Sequence, residues 1–194
     1  MLAAKISHLG ILRTLLDAGA LVNKANKIGD TAFLEATHWA HPQIACELLK
    51  YSPDLSAKRQ DGTSALHSVA LRGFIDLVTE LLNRKADANA KDNSGNTALH
   101  LAAMGGYTNV VQALLSARAE INAINRFSQS ALYNAVFHGH KETAVVLLKA
   151  GAFYTQTANP MDQTIASWAL EVMPLRNELN GTTDDEEAVG PEQY

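Results

Sequence analysis

The sequence predicts an all-α solenoid of stacked helix–turn–helix units joined by extended finger loops, and three observations carry that reading. A hydroxyl residue recurs as Thr31, Ser64, Thr97 and Ser130, each 33 positions on, and Thr164 follows after 34. The pairs Leu48-Leu49, Leu81-Leu82, Leu114-Leu115 and Leu147-Leu148 keep the same period, and Leu15-Leu16 extends it backward. Around each pair lies an i, i+1, i+4, i+5 stripe, as in Val110, Val111, Leu114 and Leu115, which gives a helix one apolar face. A fixed period of this length means one supersecondary unit repeated. No unit can bury its stripe alone, so the units must stack.

Each element follows in order. A 33-residue step backward from Ala36-Thr37 and Ile44-Ala45 reaches Ala3-Ala4 and Ile11-Leu12, so residues 1–26 read as a partial repeat that begins inside its first helix. This register displaces another reading of Met1 to Leu16. That stretch is apolar, holds Lys5 and Arg13 and has no acid before Asp17, in the manner of an organelle-targeting helix. The partial repeat is expected to be a degenerate cap or a start within a longer protein. Full repeats are expected over 27–59, 60–92, 93–125 and 126–158. In each, Thr or Ser caps the first helix, and small pairs such as Ala102-Ala103 let neighbouring helices approach. Gly19 and Gly151 follow second helices, where a left-handed residue ends a helix cheaply. Lys85 and Arg118 hold that place in the middle repeats at some conformational cost. Residues 159–173 read as a partial terminal repeat with Thr164 and Trp168, closed by Pro174. Residues 174–194 are expected to be an acidic, disordered tail.

Composition bounds the function. With 47% hydrophobic and 19% charged residues, the chain can bury a sizeable core. Residues 178–194 hold six acids and no Lys or Arg, so the net −4 leaves the remainder at +2. A body this near neutrality lacks the basic footprint of a nucleic-acid binder. Cys46 stands alone, which excludes an intrachain disulfide and a Cys-rich zinc site. No run approaches 18 apolar residues, so no membrane insertion is expected.

The runs Gly29-Asp30-Thr31-Ala32-Phe33, Gly62-Thr63-Ser64-Ala65-Leu66-His67 and Gly95-Asn96-Thr97-Ala98-Leu99-His100, at a 33-residue period, resemble the ankyrin repeat family. The resemblance covers about residues 3–172, and residues 1–173 are identified as its repeat domain. The family's signature proline is replaced by Ala32, Ala65, Ala98 and Ala131. Its histidine survives as His67 and His100, with Leu34 and Tyr133 elsewhere. The resemblance implies that these two imidazoles tie adjacent repeats by hydrogen bonds.

Seven histidines invite a metal reading, above all His38 with His41 and His138 with His140. Yet His8, His41 and His140 share one column with Phe74 and Tyr107, and no carboxylate or Cys completes a ligand set. Neither a metal nor any other cofactor is expected. Inert packing is expected for Cys46, since a reactive thiol needs a cationic neighbourhood. No phosphate loop, nucleophile elbow or dinucleotide fingerprint is present, so no catalytic residue and no enzyme activity are expected.

The resemblance implies a partner protein or peptide held on the concave side by first helices and fingers. The positions after each small pair are His38-Trp39, Leu71-Arg72, Met104-Gly105 and Phe137-His138. The finger tips are Lys27-Ile28, Arg59-Gln60, Asn93-Ser94 and Arg126-Phe127. Trp39, Leu71, Met104 and Phe137 would form an apolar stripe flanked by Arg72, Arg126 and His138, the residue types enriched at interface cores. The expected function is an adaptor or inhibitor, monomeric, in the cytoplasm and/or nucleus. The alternatives are a substrate receptor of a ubiquitin-ligase-type assembly, or the ankyrin part of a larger channel or scaffold. Asn89 and Asn122 resemble asparagines of this family that are hydroxylated, and Thr183 before Asp184, Asp185 and Glu186 resembles an acidophilic kinase site.

Overall fold

The computed structural model describes residues 1–153 and Ser167. Apart from Ser167, the terminal repeat expected over 159–173 lies outside the described residues, as do the acidic tail and Thr183. The fold is built from five helix pairs: α1 (Leu2–Lys5) with α2 (Leu9–Asp17), α3 (Ala32–His38) with α4 (Pro42–Leu49), α5 (Ala65–Leu71) with α6 (Ile75–Asn83), α7 (Ala98–Met104) with α8 (Thr108–Ser116), and α9 (Ala131–Phe137) with α10 (Lys141–Lys149). The residues that suggested a targeting helix are α1 and α2, with Ala3, Ala4, Leu12 and Leu16 buried.

The hydroxyl column starts each first helix. Thr31, Ser64, Thr97 and Ser130 are N-caps with extended backbone, and Thr31, Ser64 and Ser130 accept from the third N–H of their helices. The Leu pairs then divide. Leu48, Leu81, Leu114 and Leu147 are wholly buried, while Leu82, Leu115 and Leu148 pack at the margin of the same core. Small residues bring the first helices together: Ala36, Ala70, Ala102, Ala103 and Ala135 have no exposed surface. The row α3, α5, α7, α9 is therefore tightly packed along its length, and the second helices back it from the other side.

Polar bonds join the steps. His67 Nε2 donates to the Asn96 carbonyl and His100 Nε2 to the Gln129 carbonyl, each at 3.0 Å, so both signature imidazoles do tie adjacent repeats. The second histidine column works the same way one layer over. His41 Nε2 donates to the Lys5 carbonyl at 2.8 Å and His140 Nε2 to that of Met104 at 3.0 Å. Where this column holds Phe74, Arg72 Nη2 donates to the His38 carbonyl at 2.6 Å instead. Where it holds Tyr107, the ring lies on Gly73, and a Cβ there would overlap it. Asn23, Asn89 and Asn122 each accept, through Oδ1, from a backbone N–H 31 residues on: those of Asp54, Glu120 and Phe153.

The helix-ending column behaves as its residues require. Gly19 and Gly151 sit at φ 81° and 95°, and Ser52, Lys85 and Arg118 are held in the same left-handed region at 49°, 66° and 63°. Each of those three side chains carries strain that glycine would not.

Candidate functional site

The last turn of each first helix carries one column of the expected surface: His38, Leu71, Met104 and Phe137. Trp39 is one position further on, in the column with Arg72, Gly105 and His138 that caps the helices. Trp39 is 46% exposed, Leu71 38% and Phe137 62%, whereas Met104 is half-buried and so contributes least. These side chains are held rather than loose. Trp39 Nε1 donates to Glu35 Oε2 at 2.8 Å, and Lys5 Nζ stands 5.1 Å over its ring. The His38 ring meets Trp39 edge-on at 5.3 Å, and Phe137 stacks on Tyr133 at 6.0 Å with His138 against its other edge. Burial, together with the cations Arg59 and Arg72, pushes the His38 pKa down and favours its neutral ring.

The fingers follow an Asx scheme. Asn26 Oδ1 accepts from the N–H groups of Ile28 and Asp30, Asp92 Oδ1 from those of Ser94 and Asn96, and Asn125 Oδ1 from those of Phe127 and Gln129. That column is Asn26, Arg59, Asp92, Asn125, so Arg59 occupies the organiser's place and not the tip. The tips in register are Lys27-Ile28, Gln60-Asp61, Asn93-Ser94 and Arg126-Phe127, which corrects the assignment of Arg59 to a tip. Lys27, Ile28, Arg126 and Phe127 are exposed.

Neighbouring fingers are joined tip to tip. Asn93 N–H donates to the Asp61 carbonyl and Arg126 N–H to the Ser94 carbonyl, each at 2.9 Å, and Asn125 Nδ2 donates to Asn96 Oδ1 at 2.9 Å. Among the described residues no equivalent tip bond joins the first finger to the second. In its place Arg59 Nη1 lies 2.9 Å from Asp30 Oδ2, with Asp30 wholly buried. The pair is close enough to interact as ions but not aligned for a hydrogen bond, so both Asp30 oxygens and Arg59 Nη1 are left without one. Burial pushes the Asp30 carboxyl pKa up, with Arg59 pulling the other way. A cleft of about 350 Å³ opens here, lined by Ile28, Asp30, Arg59, Gln60 and Asp61.

Other expected sites fall as follows. One nitrogen of Arg72 is committed to the repeat contact described above. Among the described residues no group of three or more His, Cys, Asp or Glu is placed to hold a metal ion. The packing role expected of Cys46 is overturned, because its side chain is exposed on α4. Partial desolvation and the nearby Asp76 and Glu80 raise the pKa of its thiol, which disfavours the thiolate. Asn89 and Asn122 face the loops between repeats, with their carboxamides engaged in the bonds given above.

The family model for ankyrin repeats, in three copies, matches residues 36–125 and 66–158. The chain belongs to the ankyrin repeat family. Ankyrin repeats serve generally as protein–protein interaction modules, and their domains are typically non-enzymatic. No curated protein matches the sequence. Within the ankyrin frame, Asp30, Glu35 and Arg59 are the residues whose part column reading did not foresee. One signal for the first and last was present: Asp30 and Arg59 are 29 apart, the same spacing as Asn96 and Asn125.

Proposed function

We propose that this ankyrin domain is a non-enzymatic, monomeric adaptor or inhibitor of the cytoplasm and/or nucleus that grips one segment of a partner protein along its row of first helices. The observation that supports this most is the exposure of Trp39, Leu71 and Phe137 on three of four successive units of a tightly packed row, with the half-buried Met104 on the fourth. Apolar surface of this kind, with Trp39 bonded to Glu35 and Phe137 stacked on Tyr133, is a liability unless something covers it. Trp is a common hot-spot type, and a buried aromatic anchor is worth on the order of 2 kcal/mol or more on truncation. Arg126 at the finger tip and the remaining donors of Arg72 supply positive charge beside the stripe. The partner segment is therefore read as carrying apolar anchors and at least one acidic residue.

The test is retention of partners by the purified domain against a Trp39→Ala, Phe137→Ala double variant, followed by affinity measurement on the strongest partner. Each truncation is expected to weaken binding about 30-fold, with helix content unchanged. Equal affinity for the double variant overturns the reading.

A further inference from the structure

The cleft between the first two fingers is the place where this repeat array breaks its own pattern. Asp30 and Arg59 stand where Asn96 and Asn125 stand two repeats later. The later pair makes a neutral amide–amide hydrogen bond at 2.9 Å, whereas Asp30 and Arg59 make an ion pair with no hydrogen bond. Arg59 also deprives its finger of the Asx organiser that Asn26, Asp92 and Asn125 give theirs. The hairpin still closes, through Arg59 N–H to the Thr63 carbonyl and Asp61 Oδ1 accepting from Thr63 N–H. The exchange trades a neutral bond between fingers for a buried ion pair. The fold loses the tip-to-tip bond and gains a desolvated pair, a type of pair that well-chosen neutral residues commonly match or better in stability.

What the exchange creates is a set of unmet polar groups of both kinds beside an open cleft. Asp30 Oδ1 and Oδ2 lack donors, and Arg59 Nη1 lacks an acceptor. Gln60 N–H and the Ile28 carbonyl, whose counterparts are bonded in the later fingers, have no backbone partner in each other. The chemistry of an occupant follows from these demands. A carboxylate would satisfy Arg59 but face Asp30 and Asp61. An ammonium or guanidinium would satisfy Asp30 but face Arg59. A primary carboxamide carries two N–H donors and one acceptor oxygen with no net charge, so it can serve Asp30 and Arg59 together. Arg59 is long, flexible and slightly exposed, and a small outward movement gives access to the carboxylate beneath it.

We propose that the cleft lined by Ile28, Asp30, Arg59, Gln60 and Asp61 is a carboxamide pocket, which takes an Asn or Gln side chain of the bound protein segment. The pocket rests on the groove reading above for its natural ligand, but not for its chemistry. It lies at the finger edge, near enough to His38 for Arg59 and Asp61 to act on its ring, and fixes where along the groove a segment sits, because a site built to pair a donor and an acceptor rejects analogues lacking either.

The test uses the full chain and three small probes with the same three-carbon length: propionamide, propionate and n-propylammonium. In ¹H–¹⁵N spectra at constant ionic strength, propionamide is expected to shift the Gln60 amide and the Arg59 Nε–H saturably. Half-saturation is expected on the order of 10 mM, as suits a fragment of this size. The two charged probes are expected to give no saturable shift. The variant D30N/R59N rebuilds the Asn96–Asn125 arrangement, so it is expected to fold with its remaining spectrum unchanged and to lose the propionamide response. A saturable response to a charged probe alone, no response to propionamide, or a response that survives in D30N/R59N each overturns the pocket. The probes need no groove, so W39A/F137A is expected to keep the propionamide response. Failure of the groove and failure of the pocket are thereby told apart.

Discussion

Lowering the pH from 7.5 to 5.5 is expected to destabilise the domain through His67 and His100. In each, Nδ1 accepts from the cap residue twice, from its backbone N–H (3.3 Å from Ser64 N, 3.1 Å from Thr97 N) and from its hydroxyl (2.7 Å from Ser64 Oγ, 2.9 Å from Thr97 Oγ1), while Nε2 donates to the next repeat. This arrangement needs a neutral ring with its lone pair on Nδ1. A proton there would set one donor against another in a buried site. Desolvation accordingly lowers both pKa values, opposed first by the bonds to the Asn96 and Gln129 carbonyls and then by Asp92, with Lys58 or Lys91 adding to it. The folded pKa lies below the unfolded value of about 6.5, so the unfolded chain takes up the proton first as pH falls. Stability is thus full above the unfolded pKa and is lost as pH falls below it, until the folded pKa is reached.

One pH unit below an unfolded pKa of about 6.5, each such histidine removes about 1.4 kcal/mol if its folded form remains unprotonated. The two together remove up to about 2.7 kcal/mol at pH 5.5. At roughly 2–4 °C per kcal/mol for a chain of this size, that is a fall in Tm of about 5–10 °C. Thermal melts followed by circular dichroism at pH 7.5 and 5.5 measure it. The control is H67Q/H100Q, whose amide nitrogens can still donate across the repeats but do not titrate. Asp30, whose raised pKa favours the folded state on acidification, and His38 are present in both proteins and cancel in the comparison. A wild-type Tm that does not move, or a variant with the same pH response, refutes the reasoning.

Two further outcomes concern stability alone. Lys85→Gly and Arg118→Gly are each expected to raise the urea midpoint, by about 0.5–1 kcal/mol in stability. Both residues sit at φ near 65°, where relief of the left-handed strain exceeds the added freedom of the unfolded chain. Leu81→Ala is expected to cost about 2–5 kcal/mol, because Leu81 is wholly enclosed and its removal leaves a cavity. Leu71→Ala, ten residues earlier on the exposed stripe, is expected to cost less than about 1 kcal/mol; parity between the two in urea denaturation would show that Leu71 belongs to the core.

The repeat was legible because its physics is periodic. A cap hydroxyl, a small pair and a Leu pair must return at each step if units are to stack, and Thr31 through Ser130 and Leu48 through Leu148 show them returning. The exposed ends of the first helices were legible for the same reason, since a column fixes a position in space. Column reading failed where a contact runs diagonally between columns. Asp30 meets Arg59, and Asn96 meets Asn125, across a spacing of 29, which no inspection at period 33 brings together. Cys46 was missed differently: its column mixes Arg13, Thr79, Gln112 and Val145, and only the packing of α4 shows that the side chain faces out.

A repeat protein carries its own controls, and they separate two departures that look alike in sequence. Phe74 removes the imidazole that elsewhere donates to the preceding repeat, but Arg72 restores a bond to the preceding first helix, at His38. That departure is compensated, so the fold alone explains why an arginine stands at 72. Arg59 removes a finger organiser, although Asp61 and the Arg59 N–H still close the hairpin, and it turns a neutral bond between fingers into a buried ion pair that makes no hydrogen bond. Arg59 is therefore the arginine whose position the fold does not account for. Of the two, it is the one that a bound group would explain, and the cleft beside it has the room and the polar lining to hold one.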